Sequence, residues 1–348
     1  MNMKLKVFYA LILMVIFATG CFVPRSMRIK VGMPSSREVS EAYVMSYNVE
    51  NLFDTINDPE NDDDFTPNGK LNWNGKRYQE KLKHIAQVVE GVKIENGNHW
   101  PMVIGLIEVE HASCLNDLVS NTLLNEGHYR VAFLEGEDER GIDVGLLYRS
   151  DLMDLVSVNK HNIVLPENDK TRHILEVVGK VNNELIVFYV NHWPSRSGGT
   201  EKSAPSRQLA SEQLSIVMTN RMKQMPDCNM ILMGDFNDYP DNQSVARLEW
   251  VNGKQFANLM KKTDVTNKGS HFYKGEWGFL DQFIVNSEML NQDGKGWLFK
   301  RSEAVGFDFM MYTNNKGEMS PARTYVGDSY KGGYSDHLPI LLELSYQK

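Results

Sequence analysis

Short apolar runs recur along the chain, and most are closed by a residue with a polar or ionisable side chain. Ala42 to Tyr47, Met102 to Ile107, Val144 to Tyr148, Leu185 to Val190, Met230 to Met233, Phe279 to Val285 and Leu338 to Leu344 read as strands. Each is short, continuously apolar and bounded by turn formers, the pattern of strands buried in a sheet core. Tyr78, Leu82, Ile85, Ala86 and Val89 instead recur at helical spacing, and Ser113 to Leu124 also reads as helix. Gln208 to Met222 is amphipathic, with Leu209, Leu214, Val217 and Met218 on one face. Many strands with few intervening helices predict mixed sheets covered by helices, an α/β or α+β class.

The two ends of this pattern differ. Lys4 and Lys6 precede an apolar run from Val7 to Ala18, followed by Thr19, Gly20 and Cys21. A basic flank, a short apolar core and small residues before a cleavage point predict a secretory signal over residues 1–20. The run is short for a membrane-spanning helix, which needs about 20 apolar residues. Small residues before a cysteine resemble a bacterial lipobox, which predicts lipid on Cys21 and an exported, membrane-anchored protein. Ala18 stands where Leu is usual, and plain secretion or an uncleaved anchor are the alternatives. Residues 21–40 read as a tether and 41–348 as one domain, with no long linker or repeat. Asn57 to Gly75, which holds Asp62, Asp63 and Asp64, reads as an exposed loop; the triple Asp suits calcium, but a solvated loop is the simpler reading.

Composition adds limits. The chain has 348 residues and a net charge of −8, so no global positive field draws in nucleic acid, and a nuclease would need a local basic patch. Arg196, Lys202 and Arg207 are sequence candidates for such a rim. No GxGxxG or GxxxxGK[ST] is present, which argues against dinucleotide and P-loop folds. Cys114 and Cys228 lie in or beside apolar segments, without CxxC or zinc-type spacing, and are expected to be buried free thiols.

The chemistry sits at strand ends. Asn48 follows the first run and Glu108 the second, with Glu110 as a competitor. Asn191 and His192 follow Val190; Asp235 and Asn237 follow Met233; Asp281 interrupts the next run; Asp336 and His337 precede Leu338. Any one of these has an ordinary explanation as a turn, cap or structural residue. Six strands presenting such groups together point to a site where loops converge on a rigid scaffold.

Ser46-Tyr-Asn48, Leu106-Ile-Glu108-Val, Gly234-Asp235-Phe-Asn237-Asp-Tyr-Pro240 and Ser335-Asp336-His337-Leu-Pro339 together resemble the endonuclease/exonuclease/phosphatase superfamily. That family includes deoxyribonuclease I, exonuclease III, neutral sphingomyelinases and inositol polyphosphate 5-phosphatases. The motifs stand in family order over about residues 43–345. The resemblance implies a four-layer α/β sandwich of two packed mixed β-sheets flanked by helices.

It also implies roles. Glu108, supported by Asn48 and Asp336, matches the metal ligands, and oxygen donors suit Mg²⁺ or Mn²⁺ better than zinc. Asp235 matches the group that deprotonates the attacking water, with Asn237 on the same face. His337 matches a phosphate-contacting imidazole and Asp281 its carboxylate partner. His192 matches a further phosphate or leaving-group contact, and Asn191, Arg196, Tyr148 and Arg140 are weaker substrate-binding candidates. The implied activity is metal-assisted hydrolysis of phosphate esters, a phosphodiesterase or nuclease first. Inositol phosphates or sphingomyelin are alternative substrates, and an inactive binding lipoprotein of the same fold is the rival class. No protein partner is implied. Phe307 to Tyr312 is an apolar cluster whose simpler reading is core packing.

Overall fold

The computed structural model describes residues 38–58, 62–261, 263 and 269–348. The expected signal over 1–20, Cys21 and most of the tether over 21–40 lie outside the described residues. Two large sheets dominate. The first runs, edge to edge, Gly296–Ala304, Ile340–Gln347, Glu41–Leu52, Val103–Val109, Asp143–Arg149 and Tyr129–Phe133. The second runs Asp154–His161, Ile174–Val181, Glu184–His192, Asn229–Asp235, Asp281–Asn286, Lys254–Asn258 and Trp250–Val251. In each, one pair of neighbours is parallel: Glu41–Leu52 with Val103–Val109, and Glu184–His192 with Asn229–Asp235. Every other pairing within them is antiparallel.

The sheets pack face to face. Val44, Val103, Ile107, Val144 and Leu146 of the first meet Val177, Phe188, Val190, Ile231, Met233 and Phe283 of the second in one buried cluster. At Gly105 the approach is close, since a Cβ there would sit 2.9 Å from the Met233 side chain. The opposite face of the first sheet is covered by helix Gly75–Glu95, which buries Tyr78, Leu82, Ile85, Ala86 and Val89 against Met45, Tyr47 and Ile104. Asn74 starts that helix by accepting from the Lys76 and Arg77 amides at 3.1 and 3.3 Å. Helix Thr200–Gln224 covers the second sheet with Ala210, Leu214, Val217 and Met218. Both faces of each sheet are thus buried, which is why the strands read as continuous apolar runs rather than alternating ones. The result is the expected helix–sheet–sheet–helix sandwich.

Several elements depart from the sequence reading. Ser113 to Leu124 is not one helix: Ala112–Ser120 ends, and a 3₁₀ turn, Leu123–Gly127, starts where the Thr122 hydroxyl accepts from the Leu124 amide at 3.2 Å. Thr200–Gln224 begins well before Gln208. Tyr148 is not a site residue. Antiparallel register puts it opposite Val103, at the far end of the strand from Glu108 and buried between the sheets, roughly 16 Å away at the usual rise per residue. The Phe307 to Tyr312 cluster is split: Met310 is buried and Phe307 packs beneath Gly91, while Phe309 and Tyr312 stay largely exposed. Cys114 and Cys228 are buried and free, as expected.

Candidate functional site

Backbone irregularity delivers the first two site residues. Between the parallel strands the register jumps from Asn48↔Ile107 to Leu52↔Val109, so the first strand bulges by two residues. Glu50, Asn51 and Glu108 there adopt φ of 52°, 58° and 67°, and Asn237 in the other sheet adopts 50°. Left-handed backbone at four non-glycine residues around one spot is a strained arrangement of the kind that collects at functional sites. It turns Glu108 out of the pleat, where Oε2 accepts from the Asn51 amide at 3.0 Å.

The second sheet supplies the rest through its own register. His192 pairs with Asp235 across the parallel strands, and Asp281 pairs with Asp235 on the other side. Asp235 is the common point of the site. Its Oδ2 accepts from Asn48 Nδ2 at 3.2 Å and lies 3.8 Å from both His337 Nε2 and His192 Nε2. Its Oδ1 accepts from the Asn237 amide at 2.8 Å. Burial raises the Asp235 carboxyl to about 7; the His337 charge opposes this and the Asp281 charge adds to it. Asn237 is held by donation from its side-chain nitrogen to the Trp193 carbonyl at 3.0 Å.

His337 and Asp281 form a buried pair, Nδ1 to Oδ2 at 2.7 Å. Burial alone would lower the imidazole pKa, yet the charge and hydrogen bond of Asp281, with Asp235 and Asp336, hold it well above the usual range. His192 behaves in the opposite way. Burial, then the charges of Arg172 and Arg140, keep it well below, so it is neutral; its Nε2 stands 3.7 Å from Glu108 Oε1. One imidazole is charged and the other is not, and both face Asp235.

Asp336 accepts from Arg323 at 2.7 Å, and Arg323 also reaches Glu50 at 3.4 Å. Burial would raise Asp336, but His337 and Arg323 outweigh it and leave the carboxyl below its ordinary value. Lys81, fully enclosed, donates to Thr324 Oγ1 at 2.6 Å and to the Tyr334 carbonyl at 2.8 Å, and burial lowers it to about 8 against the pull of Glu50, Asp336 and Glu108. The charges of Glu50, Glu108 and Asp336 all bear on Arg323, so these carboxylates share one locality. Carboxylate oxygens are the donor type that Mg²⁺ or Mn²⁺ takes, and Glu108 and Asp336 are the ones that the sequence motifs single out. His271, Asp336 and His337 also bring ligand atoms within 4.8 Å of one another. That trio suits a cation poorly, because the His337 ring is already bonded to Asp281 and charged.

Asn48, Glu108, His192, Asp235, Asn237, Asp281, Asp336 and His337 therefore converge, and Arg140 joins them at the rim. Arg140 donates to Asn51 Oδ1 at 2.7 Å and lies 4.0 Å from Glu108. Two other candidates do not serve the cleft. Asn191 is fully buried, its side chain bonded to the Tyr189 and Met233 carbonyls and to the Trp193 indole. Arg196 binds the Asn237 carbonyl, Asp238 and Asn242 and stacks on Tyr239, so it pins the loop after Asp235. Arg207, offered by sequence as a basic rim residue, is fully buried beside Asp238. Glu110 takes no part and belongs to a separate cluster.

Four contributors escaped the sequence reading: Glu50, Lys81, Arg172 and Arg323. Lys81 left a signal, since it stands on the buried stripe of its helix between Tyr78 and Ile85. Arg172, bonded to Asp138 at 3.0 Å and to the Trp193 carbonyl at 2.6 Å, left none in its polar loop.

A model of the Endonuclease/Exonuclease/phosphatase family matches residues 43–346, and the chain belongs to that family. Solved structures agree on the fold. A mannosyl-6-phosphatase of Bacteroides thetaiotaomicron superposes with a TM-score of 0.56 at 17% identity, over 88% of this chain and 100% of that one. Humanized D. rerio TDP2 gives 0.55 at 15%, over 88% and 100%. The human nocturnin catalytic domain, with bound sulfate, gives 0.54 at 13%, over 89% and 97%. No curated protein matches the chain. Family and fold support phosphoester hydrolysis as the class of reaction.

Proposed function

We propose that the protein hydrolyses phosphate esters with a bound divalent cation, Mg²⁺ or Mn²⁺, held by Glu108 with Asn48 and Asp336. The supporting observation is the convergence on Asp235 of an amide, a charged imidazole and a neutral imidazole from three different chain segments. Asp235, its carboxyl raised by burial, accepts the proton of the attacking water. His337, held charged by Asp281, donates to a phosphoryl oxygen and offsets the negative charge that grows in the transition state. Asn237 and Asn48 hold the Asp235 carboxylate in place. His192, neutral and between Glu108 and Asp235, contacts the phosphate or its leaving group. The cation, when bound, supplies Lewis-acid polarisation of the phosphoryl group.

A phosphodiester, nucleic acid included, is the first substrate reading. Small phosphate esters gain ground from one observation. Arg207 is buried and Arg196 is bonded to the loop after Asp235, so among the described residues the arginines at the edge of the cleft are Arg140 and Arg323. A substrate panel decides: plasmid DNA, RNA, sphingomyelin, inositol phosphates and bis-p-nitrophenyl phosphate, each with and without EDTA. A rival binding protein without chemistry predicts no turnover on any of them. The proposal also places the enzyme outside the cytoplasm, held to a membrane by lipid on Cys21; palmitate labelling that persists in Cys21→Ala would sink that part.

A further inference from the structure

Two small hairpins stand beside the cleft: Met311–Thr313 with Met319–Pro321, and Tyr325–Val326 with Ser329–Tyr330. A cavity of about 560 Å³ is lined by both. Tyr312, Ser320 and Pro321 line it from the first hairpin, Val326 from the second, and Arg323 and Lys331 from the segments that flank the second. Tyr312 and Val326 are each 56% exposed, so apolar surface is left uncovered there. The lining holds two cations and no carboxylate. Arg323 also belongs to the site already described, since it donates to Asp336 at 2.7 Å and lies 3.4 Å from Glu50. The amides of Tyr334 and Ser335 donate to the Ala322 carbonyl, on the cavity wall, at 2.6 and 3.2 Å. The wall is therefore bonded to the chain just before His337. Lys81 ties Thr324 to the Tyr334 carbonyl, at 2.6 and 2.8 Å, so the cavity is built on a braced backbone.

We propose that this cavity binds the organic part of a small, anionic phosphate ester. A ring-sized apolar group packs on Tyr312 and Val326, while the phosphoryl group lies on the other side of Arg323, toward Asp336 and His337. This rests on the reading that the neighbouring site holds a phosphoryl group. The lining favours that occupant in three ways. Exposed apolar surface beside a charged site gains from a group that removes it from water. The Tyr312 ring offers a flat face for stacking. Arg323 and Lys331, with no carboxylate on the wall, favour a ligand that carries negative charge. The volume falls within the range of small-molecule pockets, roughly 300–1,000 Å³.

Benzylphosphonate and methylphosphonate test this without turnover, because their P–C bonds are not hydrolysed. Each is titrated calorimetrically into the purified full-length protein at saturating Mg²⁺. Benzylphosphonate is expected to bind at least about tenfold more tightly than methylphosphonate. The double variant Tyr312→Ala/Val326→Ser should cut that preference to about twofold or less and leave methylphosphonate affinity unchanged. Should the double variant not fold, the two single variants replace it, each expected to lose at least about threefold of the preference. Equal affinities in the parent protein, no binding of either anion, or a preference that survives the substitutions would overturn the proposal. A parent protein that prefers benzylphosphonate yet hydrolyses no ester would keep the pocket and lose the catalytic reading. One that hydrolyses esters yet binds the two anions equally would lose the pocket alone.

Discussion

The Nδ1 of His337, in the loop that leads into Ile340–Gln347 of the first sheet, lies 2.7 Å from Oδ2 of Asp281, at the start of Asp281–Asn286 in the second. The bond therefore spans the sandwich at its open end and fixes which face of the imidazole meets Asp235. Asp281→Asn removes the charge that holds the ring protonated and is expected to lower kcat by about 10² or more. His337→Ala should lose a similar amount. Because the two act as one unit, the double variant should fall no more than about threefold below His337→Ala. Steady-state kinetics on all three check this; losses that multiply would mean that the residues act separately.

Gly234 explains the glycine that opens Gly234-Asp235-Phe-Asn237. Its φ is 124°, and a Cβ there would fall 2.0 Å from the Asn191 carbonyl oxygen on the neighbouring parallel strand. Both the conformation and the space exclude a side chain. Gly234→Ala is expected to destabilise the fold by more than about 3 kcal/mol, measured by urea denaturation. An Ala variant as stable as the parent protein would show that the two strands separate more easily than this packing allows.

How much of this was legible depended on whether a residue's role left a local mark. The apolar runs ending in Asn48, Glu108, His192 and Asp235 were visible because strands buried on both faces carry no polar residues until they leave the sheet. Asp154–His161 and Ile174–Val181 were missed. The first is a half-exposed edge strand, and the second carries the buried charge of Glu176 in mid-strand. Gly296–Ala304 was hidden by a bulge between Phe299 and Arg301 that breaks its alternation. Within the site, Asn191 and Arg196 looked like substrate contacts because they neighbour His192 and lie near motif residues. Only the three-dimensional packing shows Arg196 closing onto Asp238 and Asn242. Arg323 reaches Glu50 and Asp336 from a loop of its own, a long-range meeting that no spacing announces.

Glu176 gives a stability test away from the cleft. Burial alone would raise its carboxyl, but His161, 3.6 Å away, and the hydrogen bonds and charge of Arg221 outweigh burial and hold it at about 2. A carboxyl lower in the folded than in the unfolded chain stabilises above its unfolded value. That contribution is lost as pH falls from about 4.5 through about 2. Glu176→Gln should therefore cost about 3 kcal/mol at neutral pH and almost nothing near pH 2. Denaturation curves of parent and variant across this range check it; a constant difference at every pH would show that the ion pair is not the cause.

Left-handed backbone turns the Glu108 carboxylate out of its strand toward His192 and Arg140. Glu108→Gln keeps the shape and removes the charge. It is expected to raise the Mg²⁺ concentration needed for half-maximal activity by at least about tenfold, with little change in melting temperature in metal-free buffer. Unchanged metal dependence would move the cation to other ligands.

The most direct measurement is hydrolysis of bis-p-nitrophenyl phosphate by the purified protein, before EDTA, after EDTA, and after Mg²⁺ or Mn²⁺ is restored, alongside Asp235→Asn. Expected is turnover that EDTA abolishes, that either cation restores, and that Asp235→Asn lowers by about 10² or more. Turnover that persists through chelation and in Asp235→Asn would contradict a metal-assisted attack by water activated at Asp235.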